Sequence, residues 1–136
     1  MYMEKKWLYY GVFFAEPTRK FLISKAKEFT EIPETWNIYA DHMTIVFNDG
    51  SERKNEIATA LDSVLGMYQQ LCVTSIGISD EAIAFEVNNY NTQNEHSHIT
   101  IATAPGSKPV KSNNIIEWFP IDGFYVAGKI NKIVIK

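Results

Sequence analysis

A chain of 136 residues, 46% hydrophobic, suits one domain (residues 1–136) with a real core. Its formal charge of −3 and its scattered basic residues (Lys5-Lys6, Arg53-Lys54, Lys108, Lys111, Lys129, Lys132) argue against a protein that grips long duplex nucleic acid, but leave a single nucleotide or strand end open as a ligand. The single cysteine, Cys72, excludes an internal disulfide, has no Cys or His partner at zinc-site spacing, and reads as a small buried hydrophobe in a reducing compartment.

Residues 7–15 are aromatic and β-prone and predict a first strand. Lys5-Lys6 ahead of this apolar run superficially suggests a signal peptide. The run is short and aromatic rather than Leu-rich, however, and Phe13 stands where cleavage wants a small residue. No stretch is long enough to span a membrane, so a soluble, cytoplasmic protein is expected. Pro17 opens a helix carrying Phe21, Leu22, Lys25, Ala26 and Phe29 at helical spacing, closed at the latest by Pro33. Residues 34–39 form a connector with two aromatics, Trp36 and Tyr39. A strand over 42–48 ends at the Asp49-Gly50 turn. A helix over 51–65 places Ile57, Leu61, Val64 and Leu65 on one face, with Gly66 as C-cap. Residues 71–78 and 82–87 predict a hairpin turning at Ser79-Asp80, and 88–95 a polar loop. A strand over 97–104 stops at Pro105-Gly106. A short helix is expected over 114–118, capped by Ser112 or Asn113, followed by two terminal strands, 124–128 and 129–135. Strands outnumber helices in mixed order, which is the α+β class.

One pattern occurs twice. His42-Met43-Thr44 opens one strand and His98-Ile99-Thr100 opens another. Strand alternation puts His and Thr on one face and apolar residues on the other: Met43, Ile45 and Phe47 in the first, Ile99 and Ile101 in the second. A lone strand histidine is usually structural. Here the chain has three histidines, and two fall in the same motif. Two strands of one design can line one groove. Facing imidazoles can serve as general base and acid near neutral pH, and two Thr hydroxyls can donate to phosphate oxygens. That set suffices to cleave a phosphodiester whose nucleophile or leaving group is a neighbouring hydroxyl. No cofactor is called for, and no carboxylate cluster for Mg²⁺ lies near either motif.

The paired motifs resemble the two H-x-[ST] signatures of the 2H phosphoesterase superfamily. More narrowly, the stretch HITIATAPGSKPVKSN, with Gly106, Pro109, Ser112 and Asn113 in order, is similar to the cyclic phosphodiesterase domain of fungal tRNA ligases and its small bacterial and phage relatives. LYYGVFF is similar to that family's first strand. The resemblance implies a bilobal α+β fold with pseudo-twofold symmetry, mostly antiparallel sheets and outer helices. It also implies a central cleft holding His42, Thr44, His98 and Thr100 as catalytic residues, and metal-free hydrolysis of a 2′,3′-cyclic phosphate at an RNA 3′-end or on a small nucleotide. Relatives that cleave cyclic oligonucleotides leave that substrate open, and a binding module that keeps the fold without turnover is the rival reading.

For recognition of the base, aromatic faces are the natural partners. Tyr9 or Tyr10, Trp36 and Tyr39 are the candidates, Tyr10 being preferred because the first strand borders the cleft in the family the chain resembles, with Tyr9 and Tyr10 otherwise packing the two faces of that strand. Lys108 and Lys111 are candidates for a second phosphate, against the simpler reading of exposed loop lysines. His96, two residues before His98, could share its face or pair with it on a metal, but no third ligand is apparent and a solvated place beside Glu95 is the simpler reading.

Overall fold

The computed structural model describes residues 6–135, so Lys5 of the first basic pair lies outside the described residues. The order is β1 (Trp7–Phe13), α1 (Glu16–Phe29), β2 (Asn37–Ile38), β3 (His42–Phe47), α2 (Glu52–Asp62), β4 (Tyr68–Ile78), β5 (Ala82–Val87), β6 (His98–Thr103), a 3₁₀ helix (Pro109–Asn114) and β7 (Trp118–Val134). The class is α+β. All seven strands join one antiparallel sheet in the order β2-β6-β5-β4-β7-β1-β3. Although β3 and β6 stand far apart in that order, they touch, so the sheet curves until its two His-x-Thr strands meet. One core joins the apolar sides of these strands, Met43, Ile45, Ile99 and Ile101, to Leu22 and Ala26 of α1 and Ala58 of α2. No helix among the described residues is long and apolar enough to cross a membrane.

Three expectations are corrected. No helix covers 114–118. Instead the 3₁₀ turn begins earlier at Pro109, whose fixed φ suits a first helical position, and Ile115 is pinned beside Ala82 and Ala84. Ser112 does not cap a helix: it is 1% exposed and bonded to Thr100. The two terminal strands are a single strand of 17 residues that changes partner along its length, pairing β4 through Trp118–Lys129 and β1 through Lys129–Val134. Finally, α2 ends at Asp62 rather than at residue 65, leaving Leu61, Val64 and Leu65 to pack on the core from its last turn and the one beyond.

The route into β3 fixes the site. After β2 pairs with β6, Tyr39 and Ala40 donate their N–H groups to the Ile101 and Thr100 carbonyls at 2.8 and 2.9 Å. Arg19 of α1 holds the Tyr39 carbonyl through Nε at 2.6 Å. Ala40, fully buried, then takes a left-handed φ of 57° and swings the chain from the flank of β6 into β3. The His42 strand is thereby launched from the His98 strand.

Candidate active site

The two motif strands share more than their sequence. On β3, Gly11 and Tyr10 of β1 pair with Thr44 and Val46, so Ile45 is an extra residue; on β6, Ala84 and Ile83 of β5 pair with Thr100 and Ala102, so Ile101 is extra. Each β-bulge follows the motif Thr directly. Bulges next to functional sites commonly re-aim side chains. His42–Val46 and His98–Ala102 also share one burial sequence, with half-buried His and Thr followed by two buried residues. The bulge moves Phe47 out of the apolar set predicted for it. It faces the same side as His42 and Thr44, is 43% exposed, and stacks on Tyr9 with ring centroids 5.6 Å apart. At the matching place on β6, Thr103 is buried and donates to the Ser107 carbonyl.

His42, Thr44, His98 and Thr100 line one cavity of about 410 Å³, together with Tyr39 and Lys108. His42 directs Nδ1 at Asp41 Oδ1, 3.0 Å away, and that hydrogen bond is the main cause holding the Asp41 carboxyl below its ordinary value. The ring lies between Tyr9 and Phe13, with centroids at 5.3 and 5.5 Å. His98 directs Nδ1 at the His96 carbonyl, 2.7 Å away, so Nδ1 carries the proton and Nε2 keeps a lone pair. Burial pushes the His98 imidazole below its usual value. The bond to the His96 carbonyl opposes this, and the nearby His96 and His42 rings reinforce it. Thr100 Oγ1 sits 2.8 Å from buried Ser112 Oγ and 3.4 Å from the Pro109 carbonyl. The 3₁₀ turn thus braces the second motif through Ser112 and presents Pro109, Val110 and Asn113 to the cavity.

Tyr10 and Trp36 are not brought there. Tyr10 is 1% exposed and donates its hydroxyl to Asp62 Oδ1 at 2.5 Å, a carboxylate also held by Lys132 at 3.0 Å. Its neighbour Tyr9 lines the cavity instead. Trp36 packs half-buried on the core. Sequence reasoning missed Asp41, Phe47, Gln93 and Asn94 as lining residues. Asp41 directly before the motif His was a readable signal. Gln93 was not, because it arrives from the 88–95 loop, its N–H bonding the Ile45 carbonyl at 2.9 Å. His96 lies outside the cavity, its ring hydrogen-bonded to Glu86 and stacked on Trp118. Among the described residues, no three His, Cys, Asp or Glu side chains gather as metal ligands.

Two His-x-Thr strands facing one cavity on an antiparallel α+β sheet define a 2H phosphoesterase. Over residues 22–136 the chain matches the family described as the fungal tRNA ligase phosphodiesterase domain, and it belongs to that family, which implies phosphodiesterase activity. The match starts within α1, so the part played by β1 rests on its pairing with β3. No curated protein matches the chain.

Proposed function

We propose that the protein hydrolyses a 2′,3′-cyclic phosphate at an RNA 3′-end or on a small nucleotide, using His42 and His98 as a general acid–base pair and no metal. The observation that carries this reading is the meeting of both motifs in one cavity with each imidazole held by its Nδ1. The equal bulges and registers of β3 and β6 support a pseudo-twofold relation between the halves, extending outward from the central β4–β7 pair.

The halves differ where a substrate needs direction. Tyr9 and Phe13 lie against His42 and Phe47 stacks on Tyr9, while the positions that match Phe13, Tyr9 and Phe47 around His98 carry Glu86, Ala82 and Thr103. An aromatic wall on one side seats the nucleoside there, because every base offers a stacking face. The leaving ribose oxygen then lies at His42, and water approaches from His98. His98, kept neutral by burial, takes the water proton on Nε2 as the oxygen attacks phosphorus. The bond from phosphorus to one ribose oxygen breaks, and that oxygen takes the proton from His42 Nε2. This leaves a nucleoside phosphomonoester. Asp41 acts as the orienting carboxylate of His42. Thr44 donates to the phosphate oxygens. Thr100 does so when Ser112 supplies the hydrogen in their shared bond, and both help carry the charge of the pentavalent state.

Incubation with 2′,3′-cyclic mononucleotides and with cyclic-phosphate-ended RNA, in EDTA, should give phosphomonoester products. Calorimetric binding without product would instead mark a binding module, and loss of turnover in EDTA would overturn the metal-free step. Phe47→Ala removes a half-exposed ring that does not support the core. It should raise KM by roughly 5- to 100-fold, the worth of one stacked base, with kcat within about threefold. An unchanged KM would remove the aromatic wall from substrate binding.

A further inference from the structure

His96 does not line the cavity, yet its carbonyl is the acceptor that fixes the tautomer of His98. That carbonyl belongs to the peptide joining His96 to Ser97, at the point where the 88–95 loop enters β6. On the Ser97 side the chain is anchored: the Ser97 carbonyl accepts from Val87 N–H at 2.7 Å, and its hydroxyl meets Thr92 Oγ1 at 3.1 Å. On the other side the side chain of His96 supplies the anchor. Its Nδ1 is hydrogen-bonded to Glu86 Oε2, and its ring lies on the Trp118 indole at 5.2 Å and 25°. Trp118 is itself held by shape, because a Cβ on Gly77 would come within 2.6 Å of its ring, and Ile115 packs beside it.

Glu86 stands opposite His98 in the β5–β6 register, so its carboxylate rises on the same side of the sheet as the His98 ring. The His96 ring takes up that carboxylate. The other ionisable groups near His98 are His96 itself and, from β3, His42; Lys108 and Asp41 share the cavity.

We infer that Glu86 and Trp118 form a clamp on the His96 ring that aims the His96 carbonyl at His98 Nδ1, making Glu86, His96 and Trp118 positioning residues for the general base. Their effect on turnover rests on the acid–base reading above; their effect on the His98 tautomer does not. The hydrogen bond made by one ring nitrogen decides which nitrogen of a neutral imidazole keeps the proton. A base with its lone pair on Nδ1 instead of Nε2 faces away from the water it must activate. Loosening the clamp therefore costs competent tautomer without touching the cavity wall.

His96→Ala keeps the carbonyl and removes the clamp. Imidazole ¹⁵N chemical shifts of the intact protein, simplified by its three histidines, read the tautomer directly. In His96→Ala and in Glu86→Ala, the His98 population protonated at Nδ1 should fall, with kcat down about tenfold, the lower end for outer-shell partners, and KM unchanged. Glu86→Gln, which retains a hydrogen-bond partner for His96, should restore both. An unaltered tautomer in His96→Ala overturns the clamp. A shifted tautomer in a protein whose wild type turns over no cyclic phosphate keeps the clamp and overturns the catalytic reading instead.

Discussion

His42→Ala and His98→Ala should each lower kcat on a 2′,3′-cyclic phosphate by about 10²- to 10⁴-fold, the range for a positioned general acid or base. The double variant should be scarcely slower than either single one, because groups that act as a unit do not contribute additively. The pH dependence separates the two roles. A base works only when neutral, and burial lowers the affinity of His98 for its proton. The acid limb of kcat/KM in the wild type should therefore lie below the ordinary imidazole value of about 6.5. His98→Ala should abolish that acid limb, while His42→Ala should keep it and lose the fall at high pH. Interchanged limbs would reverse the roles. Full activity in both variants would remove the pair from the chemistry altogether.

The same shift has a consequence for stability. A histidine whose folded-state proton affinity is depressed favours the folded chain above its unfolded value and opposes it as pH falls, since the unfolded chain then binds the extra proton. The site is thus most secure in the pH range where its base is neutral.

The His-x-Thr repeat was legible because alternation is local: three residues suffice to place a ring and a hydroxyl on one face. What followed each Thr was not. Ile45-Val46 and Ile101-Ala102 read straight through as alternating strand, and nothing within either stretch reveals the extra residue. The bulges are defined only against the neighbouring strands, where Gly11 and Ala84 pair with Thr44 and Thr100 from 33 and 16 positions back. Phe47 was placed on the wrong face for that reason. Tyr9 and Tyr10 were distinguishable only by Asp62, on a helix 52 residues beyond Tyr10, which claims the Tyr10 hydroxyl. Gly128 reads as a break between two strands. In the fold it lets β1 approach, since a Cβ there would come within 2.5 Å of the Phe13 carbonyl. The misplaced Phe47, Tyr10 and Gly128 each involve a partner distant in sequence, whereas the expectations that hold rest on a local period or a turn.

Phe85→Ala should cost about 3–5 kcal/mol of stability, the range for emptying a buried phenyl site. Phe85 is fully buried on the apolar side of β5 and stands opposite Ile99, the residue between His98 and Thr100. Its ring meets Phe124 edge-on at 5.3 Å, and Phe124 meets Phe21 of α1 in the same manner at 5.6 Å. These three rings thus link β5, β7 and α1 behind the second motif, with Phe85 as the β5 end. Its counterpart behind the first motif is the smaller Val12, which pairs with Met43, so the His98 half depends more on a single ring. Urea unfolding should show the loss as a lower midpoint with an unchanged slope. Turnover well below the melting range should stay within about twofold of wild type, because no cavity residue is altered. A loss under about 1 kcal/mol would mean that the site collapses around the smaller side chain, and that His98 and Thr100 are held from the cavity side, by Ser112 and the His96 carbonyl, rather than from behind.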